Sequence, residues 1–125
     1  MLELSRQNRR SIGEKNEELA VRFLEKKGYK ILARNYRIPV GEIDIVGKQG
    51  DCLCFIEVRS RQSEKFGSPA DSIDFRKRQH LIRTAQGYLQ SKRWEGEARF
   101  DVIAITYRYG KPEIELIQNA FEVEE

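Results

Sequence analysis

Apolar residues in the first part of the chain recur at helical spacing. Ile12, Leu19, Ala20, Phe23 and Leu24 share one stripe, which predicts a helix from Ser11 that Gly28 ends. From Tyr29 to Arg37 the pattern alternates, with Tyr29, Ile31 and Ala33 set against Lys30, Leu32 and Arg34, as in a half-buried strand. Pro39 and Gly41 punctuate the chain before a second strand, Glu42 to Gly47, and Gln49-Gly50-Asp51 forms a hairpin-like turn. The third strand, Cys52 to Arg61, is apolar at consecutive positions through Phe55, the pattern of a central strand covered on both faces. Ser63 to Gly67 reads as a polar loop. A second helix opens at Ser68-Pro69-Ala70-Asp71, with a serine cap, proline at the first helical position and an acid at the third. Its stripe is Ile73, Arg78, Leu81, Ile82, Ala85, Tyr88 and Leu89, and it runs to about Lys92. Arg99 to Tyr107 is a fourth strand, and Ile114 to Ile117 a short edge strand after Gly110-Lys111-Pro112. The order α-β-β-β-α-β-β, with no internal repeat, predicts an α/β fold: one mixed central sheet flanked by helices.

Length and composition fit one such domain. The 125 residues are 39% hydrophobic, enough for one core, and 34% charged, well above the usual quarter. The expected division is a flexible basic arm over residues 1–10, the domain over 11–121 and an acidic tail over 122–125. No apolar run approaches the roughly 18 residues of a membrane span, and the first residues lack the apolar core of a signal peptide. The expectation is a cytoplasmic protein without a membrane partner. Cys52 and Cys54 stand two apart in a strand, so they share a face and are badly placed to bridge each other. With His80 as the one histidine, a zinc site would lack ligands.

Charge sharpens the picture. The chain carries +3, but its last 13 residues hold five acids and no base, so the preceding 112 residues carry +8. Bases recur at Arg6, Arg9, Arg10, Arg34, Arg37, Arg59, Arg61, Arg76, Lys77, Arg78, Lys92 and Arg93. Such a body suits a polyanion, since each neutralised phosphate releases counterions, although the same residues also make an ordinary solubilising surface.

Two stretches carry candidate chemistry: Gly41-Glu42-Ile43-Asp44-Ile45-Val46 and Phe55-Ile56-Glu57-Val58-Arg59-Ser60-Arg61. Strand parity places Glu42 with Asp44, and Glu57 with Arg59 and Arg61. If the two strands pair as a hairpin, Asp44 and Glu57 face each other across the ladder. Two such carboxylates repel, and a divalent cation removes the penalty. Magnesium suits the pair because it prefers hard oxygen ligands and keeps several waters.

An acid, a gap and then acid-x-base resembles the PD-(D/E)XK (restriction endonuclease-like) superfamily, which includes archaeal Holliday junction resolvases. The closer resemblance is to its YraN-like branch of small uncharacterised bacterial proteins. It rests on Glu17-Glu18-Leu19-Ala20, Gly28-Tyr29-Lys30-Ile31-Leu32-Ala33-Arg34-Asn35, Gly41-Glu42-Ile43-Asp44, the Glu57-Val58-Arg59 triplet with Arg61, Phe66-Gly67-Ser68-Pro69, Lys77 and Arg99-Phe100-Asp101-Val102. The resemblance covers roughly Ser11 to Phe121. The resemblance implies magnesium or manganese held by Glu17, Asp44 and Glu57; Glu42, on the Asp44 face by strand parity, is an additional candidate acid. Two departures stand out. No proline precedes Asp44, and Arg59 occupies the usual lysine position. Arginine stays protonated, so it can position a phosphate but cannot act as a base, and Lys77 becomes the candidate amine.

The resulting expectation is a metal-dependent endonuclease-like hydrolase. Asp44, Glu57, Arg59 and Lys77 would form its catalytic group, and Arg34, Arg37, Arg59, Arg61, Arg76 and Arg78 would bind nucleic acid, DNA rather than RNA. Analogy with resolvases points to branched or structured DNA, with a homodimer left open. The alternatives are a non-catalytic nucleic-acid binder on a nuclease fold and a protein-interaction domain. Trp94 and Tyr36 are open between base stacking and packing, and Asp101 between a site role and a structural pair with a neighbouring arginine.

Overall fold

A computed structural model describes residues 2–61 and 73–121, with side chains described from Ile12 onward. The elements are α1 (Leu2–Lys26), β1 (Lys30–Ile38), β2 (Gly41–Gln49), β3 (Cys52–Arg61), α2 (Phe75–Lys92), β4 (Glu97–Arg108) and β5 (Lys111–Phe121). This is the expected order. The expected loop at 63–67, the helix start at Ser68-Pro69 and the tail at 122–125 lie outside the described residues.

The five strands lie in the sheet in chain order. β1, β2 and β3 form an antiparallel meander, β3 and β4 are parallel, and β4 and β5 form a hairpin. Parallel neighbours need a crossover connection, and α2 supplies it. Each helix covers one face. Ala20, Val21 and Leu24 of α1 pack on Ile45, Cys54, Ile56, Ile103 and Ile105. Leu81, Ile82, Ala85 and Tyr88 of α2 pack on Val46, Leu53, Phe55, Phe100 and Val102. β3 is therefore buried on both sides through Glu57, as its continuous apolar run implied. Cys54 lies in the α1 face and Cys52 packs against it, both as free thiols. Burial pushes the Cys54 thiol up to about 12, so it is no nucleophile.

Helix α1 starts at Leu2 rather than Ser11, taking in residues expected as an arm. Its buried stripe also differs from the expected one. Val21 joins Ala20 and Leu24, while Ile12 stays 54% exposed and the buried position next along the helix is Asn16. Asn16 is accepted there because it takes a hydrogen bond from the Tyr107 hydroxyl. Gly28, with φ +90°, closes the helix as a left-handed C-terminal residue. Helix α2 is capped by Asp74, whose Oδ1 accepts from the Lys77 backbone N–H at 2.8 Å. Gly41 at the head of β2 has a packing reason: a Cβ there would lie 2.6 Å from Thr84 Oγ1 on α2.

Asp101 is 1% exposed yet ionisable, and a hydrogen-bond network explains how it is tolerated. Arg99 Nε donates to Asp101 Oδ1 at 3.0 Å, the Tyr29 hydroxyl to Oδ2 at 3.0 Å, and the Asn119 backbone N–H to Oδ1 at 2.9 Å. Asn119 (φ +51°) sits where the β4–β5 register slips, so the carboxylate holds that irregular turn of the edge strand. Of the two readings open for Asp101, this geometry is the structural one. Removing one partner of a buried pair strands the other charge. Asp101→Ala should therefore lower unfolding free energy by about 3 kcal/mol or more, read from the urea midpoint. A loss below about 1 kcal/mol would show that the network is not holding this end of the sheet.

Candidate active site

The site begins where β2 parts from β3. The last paired residues of that ladder are Ile45 and Ile56. One further step in the same register sets Asp44 opposite Glu57, where backbone pairing stops. The Val58 N–H instead donates to Asp44 Oδ2 at 2.8 Å, so a side chain replaces the ladder partner. β2 also swivels here. Ile43 and Val46 pack on the α2 side, and Ile45 between them packs on the α1 side. Simple strand alternation, as expected for Glu42 to Gly47, breaks at Asp44. Its neighbour on β1 is Asn35, a non-glycine residue with φ +52°, and that left-handed turn within a strand marks the same distortion.

Glu57 lies on the α2 side of the parted strands and is 9% exposed. Its Oε2 is buried without a hydrogen-bond partner, and the nearest cation is Lys77 Nζ at 3.6 Å. Burial and the adjoining Asp44 carboxylate push the Glu57 carboxyl up to about 8, while Lys77 and Arg59 pull it down. Asp44 is a hydrogen-bond neighbour of Glu57, so the two carboxylates stand side by side where the strands part. Arg59 follows on the same strand face, and its buried Nε also has no hydrogen-bond partner. Asp44, Glu57, Arg59 and Lys77, drawn from three elements, are thus brought together.

On the α1 side the site opens into a cleft of about 330 Å³ lined by Gly13, Asn16, Glu17, Asn35, Asp44, Val58 and Ser60. Glu17 forms its far wall, and its Oε1 accepts from Arg34 Nε at 2.8 Å and Asn35 Nδ2 at 3.0 Å. Arg34 also reaches Glu18 at 3.1 Å, so it braces α1 against β1. Asn35 was not singled out by sequence reasoning. Its signal is asparagine's tolerance of left-handed backbone, legible only once the strand is known to kink.

Other expected residues are placed elsewhere. Glu42 pairs with Arg37 at 2.9 Å and does not join the carboxylate pair. Arg78, half-buried, donates to the Ile73 carbonyl and lies over the Phe121 ring. Arg61 continues the Arg59 face and donates to Thr106 Oγ1 at 3.3 Å, and Arg76 is exposed in the first turn of α2. Tyr36 packs edge-on against Tyr88, and Trp94 donates to the Glu97 carbonyl under Lys48. Among the described residues no three acidic, histidine or cysteine side chains converge as one metal-binding group. The fit for a cation rests on the Asp44–Glu57 pair, and magnesium needs only one or two carboxylates with water and substrate oxygens. An orphaned carboxylate oxygen beside a second carboxylate meets that requirement.

Fold and site together define a single-sheet α/β domain whose central strands part around a carboxylate pair. The chain belongs to the uncharacterised protein family UPF0102, whose model matches residues 16–105, a span holding Glu17, Asp44, Glu57, Arg59 and Lys77. It is similar to a UPF0102 protein of Caldicellulosiruptor saccharolyticus, 44% identical over 118 residues, covering 91% of this chain and 99% of the relative. A UPF0102 protein of Dehalococcoides mccartyi is 43% identical over 114 residues (90% and 94%), and one of Moorella thermoacetica is 51% identical over 98 residues (78% and 82%). Among the described residues no helix is long and apolar enough to cross a membrane.

The raised Glu57 carboxyl has a consequence for stability. The unfolded chain loses this proton near the ordinary value of 4.5, the folded one near 8. Between those values the unfolded state binds fewer protons, so stability falls as pH rises. Glu57→Gln removes that dependence. In chelator-treated buffer it should match wild type near pH 4.5 and melt higher, on the order of 5 °C, above pH 8. A difference that stays constant across thermal melts from pH 4.5 to 9 would contradict this coupling.

Proposed function

We propose that this protein is a metal-dependent phosphodiester hydrolase acting on nucleic acid, with branched or structured DNA as its substrate class. The observation that carries the reading is the Glu57 carboxylate, buried, with Oε2 lacking a hydrogen-bond partner and the Asp44 carboxylate alongside. Lys77 at 3.6 Å relieves that charge only in part, and a bound cation would complete it. The resemblance to PD-(D/E)XK nucleases and the +8 body support the same reading.

Asp44 and Glu57 would hold the cation. Asp44 has Oδ2 fixed by the Val58 N–H, which orients its other oxygen. Magnesium or manganese, when bound, supplies charge neutralisation, polarises a phosphate oxygen and acidifies a water. Lys77, directed at the same carboxylate, would orient the attacking water. Arg59 stays protonated and steadies charge on the phosphate. Glu17, the third acid that the resemblance implies, lies across the cleft held by Arg34 and Asn35 and stands apart from the pair, and Glu42 is turned to Arg37. Arg61 extends the basic face along β3 and contacts backbone phosphates, which carry no sequence information.

A second reading, a nucleic-acid binder without hydrolysis, is favoured by one observation: Arg59 stands where related nucleases have lysine. Cleavage assays over branched, single-stranded and double-stranded DNA, with magnesium, manganese or chelator, separate the two. The hydrolase reading expects metal-dependent cleavage by wild type, equal or faster cleavage by Arg59→Lys, and none by Asp44→Asn or Arg59→Ala. Binding should weaken steeply with salt, and Arg61→Ala should lower affinity alike for all sequences. If wild type and Arg59→Lys are both inert while binding persists, the hydrolase reading fails and the binder replaces it.

A further inference from the structure

We propose that the tip of the β4–β5 hairpin is a stacking site for an unpaired base, with Tyr109 as the residue that receives it. This rests on the reading of nucleic acid as the partner and names the feature of the substrate that the hairpin takes.

Arg108 and Lys111 are the last pair of the β4–β5 ladder, leaving Tyr109 and Gly110 as a two-residue turn. Both have positive φ, +52° and +75°. That geometry suits Asn-Gly or Asp-Gly, and a left-handed conformation costs a side chain like tyrosine about 1–2 kcal/mol. Within the fold the ring gives nothing back, because Tyr109 is 103% exposed. A strained, fully exposed aromatic is a poor choice for stability and a good one for contact with a partner.

The tip is also held. One residue before the last ladder pair, the Tyr107 hydroxyl donates to Asn16 of α1, and Arg108 Nε bonds Glu113 Oε2 at 2.9 Å across the hairpin. Tyr109 therefore sits on a braced ribbon, which spares an incoming base part of the ordering cost.

Its position relative to the carboxylate pair is fixed by register. Val102 of β4 is the partner of Glu57, and Tyr109 follows seven residues later. At about 3.3 Å per residue that places the ring roughly 23 Å along the strand from the site. With a spacing of about 3.4 Å per nucleotide, it lies roughly seven base steps away. Because β3 and β4 are parallel, the hairpin projects from the same end of the sheet as Arg59 and Arg61, and the start of α2, with Arg76 and Lys77, returns from that end. Arg108, Lys111 and Glu113 surround the tip, and Pro112, the exposed apolar residue beside them, is too small to form the core of a protein interface. An aromatic face beside cations is instead the arrangement that takes an unpaired base, by stacking with backbone attraction.

Fluorescence anisotropy tests this, using a labelled thymidine oligonucleotide of roughly 20 nucleotides and a blunt duplex of the same length. Tyr109→Asn should bind the single strand roughly tenfold more weakly, with duplex affinity held within about twofold. Tyr109→Phe should bind both like wild type. Tyr109→Asn should melt no lower than wild type, since asparagine suits the turn. Unchanged single-strand affinity in Tyr109→Asn, with wild type binding and cleaving, overturns the stacking role and leaves the hydrolase reading intact. An equal loss on duplex and single strand also overturns it. If wild type binds neither, the nucleic-acid partner fails and the stacking site fails with it.

Discussion

A single hydrogen bond, from the Val58 backbone N–H to Asp44 Oδ2, governs the shape of this molecule's functional end. Where the ladder between β2 and β3 would continue, a carboxylate takes the place of a backbone carbonyl. The strands part, and the next position on β3, Glu57, is left buried beside that carboxylate. Glu57 in such a place, beside a second carboxylate, resists ionisation, so the parted strands create an electrostatic demand as well as a cleft.

The rest of the structure holds the parting open without closing it over. Glu17, Arg34 and Asn35 tie α1 to the kinked β1 on one side. On the other, Thr84 of α2 lies so close to Gly41 that β2 is held against the helix at its start. The Asp74 cap sets the first turn of α2 and with it Lys77. The Asp101 network ties Tyr29, Arg99, Gln49 and Gln118 together by hydrogen bonds beside Ile56, the register partner of Asp101. The charged groups thus divide between a network satisfied within the chain and a pair in which Glu57 Oε2 lacks a hydrogen bond.

Much of this was legible in the sequence because it depends on period and order. The continuous apolar run of β3 marked it as central, and hairpin register brought Asp44 to Glu57 before any coordinates. What was not legible depends on local backbone. The kink at Asn35 and the swivel between Ile43 and Val46 break the alternation that sequence reading assumes. Glu42 was grouped with Asp44 by that alternation, yet it turns to Arg37. Ile12 fitted the helical stripe but lies exposed, since Asn16 takes the inward place through Tyr107. The β4–β5 turn was read at Gly110-Lys111-Pro112, and its true position one residue earlier is what presents Tyr109.

The central claim is that Asp44 and Glu57 share one divalent cation. Anomalous diffraction from crystals grown with manganese tests it directly, because the ion is located independently of any activity. The account predicts one peak between the two carboxylates, at about 2.1 Å from an oxygen of each, and its disappearance in Asp44→Asn. No peak at that position in well-ordered crystals, or an ion that persists there in Asp44→Asn, would contradict it.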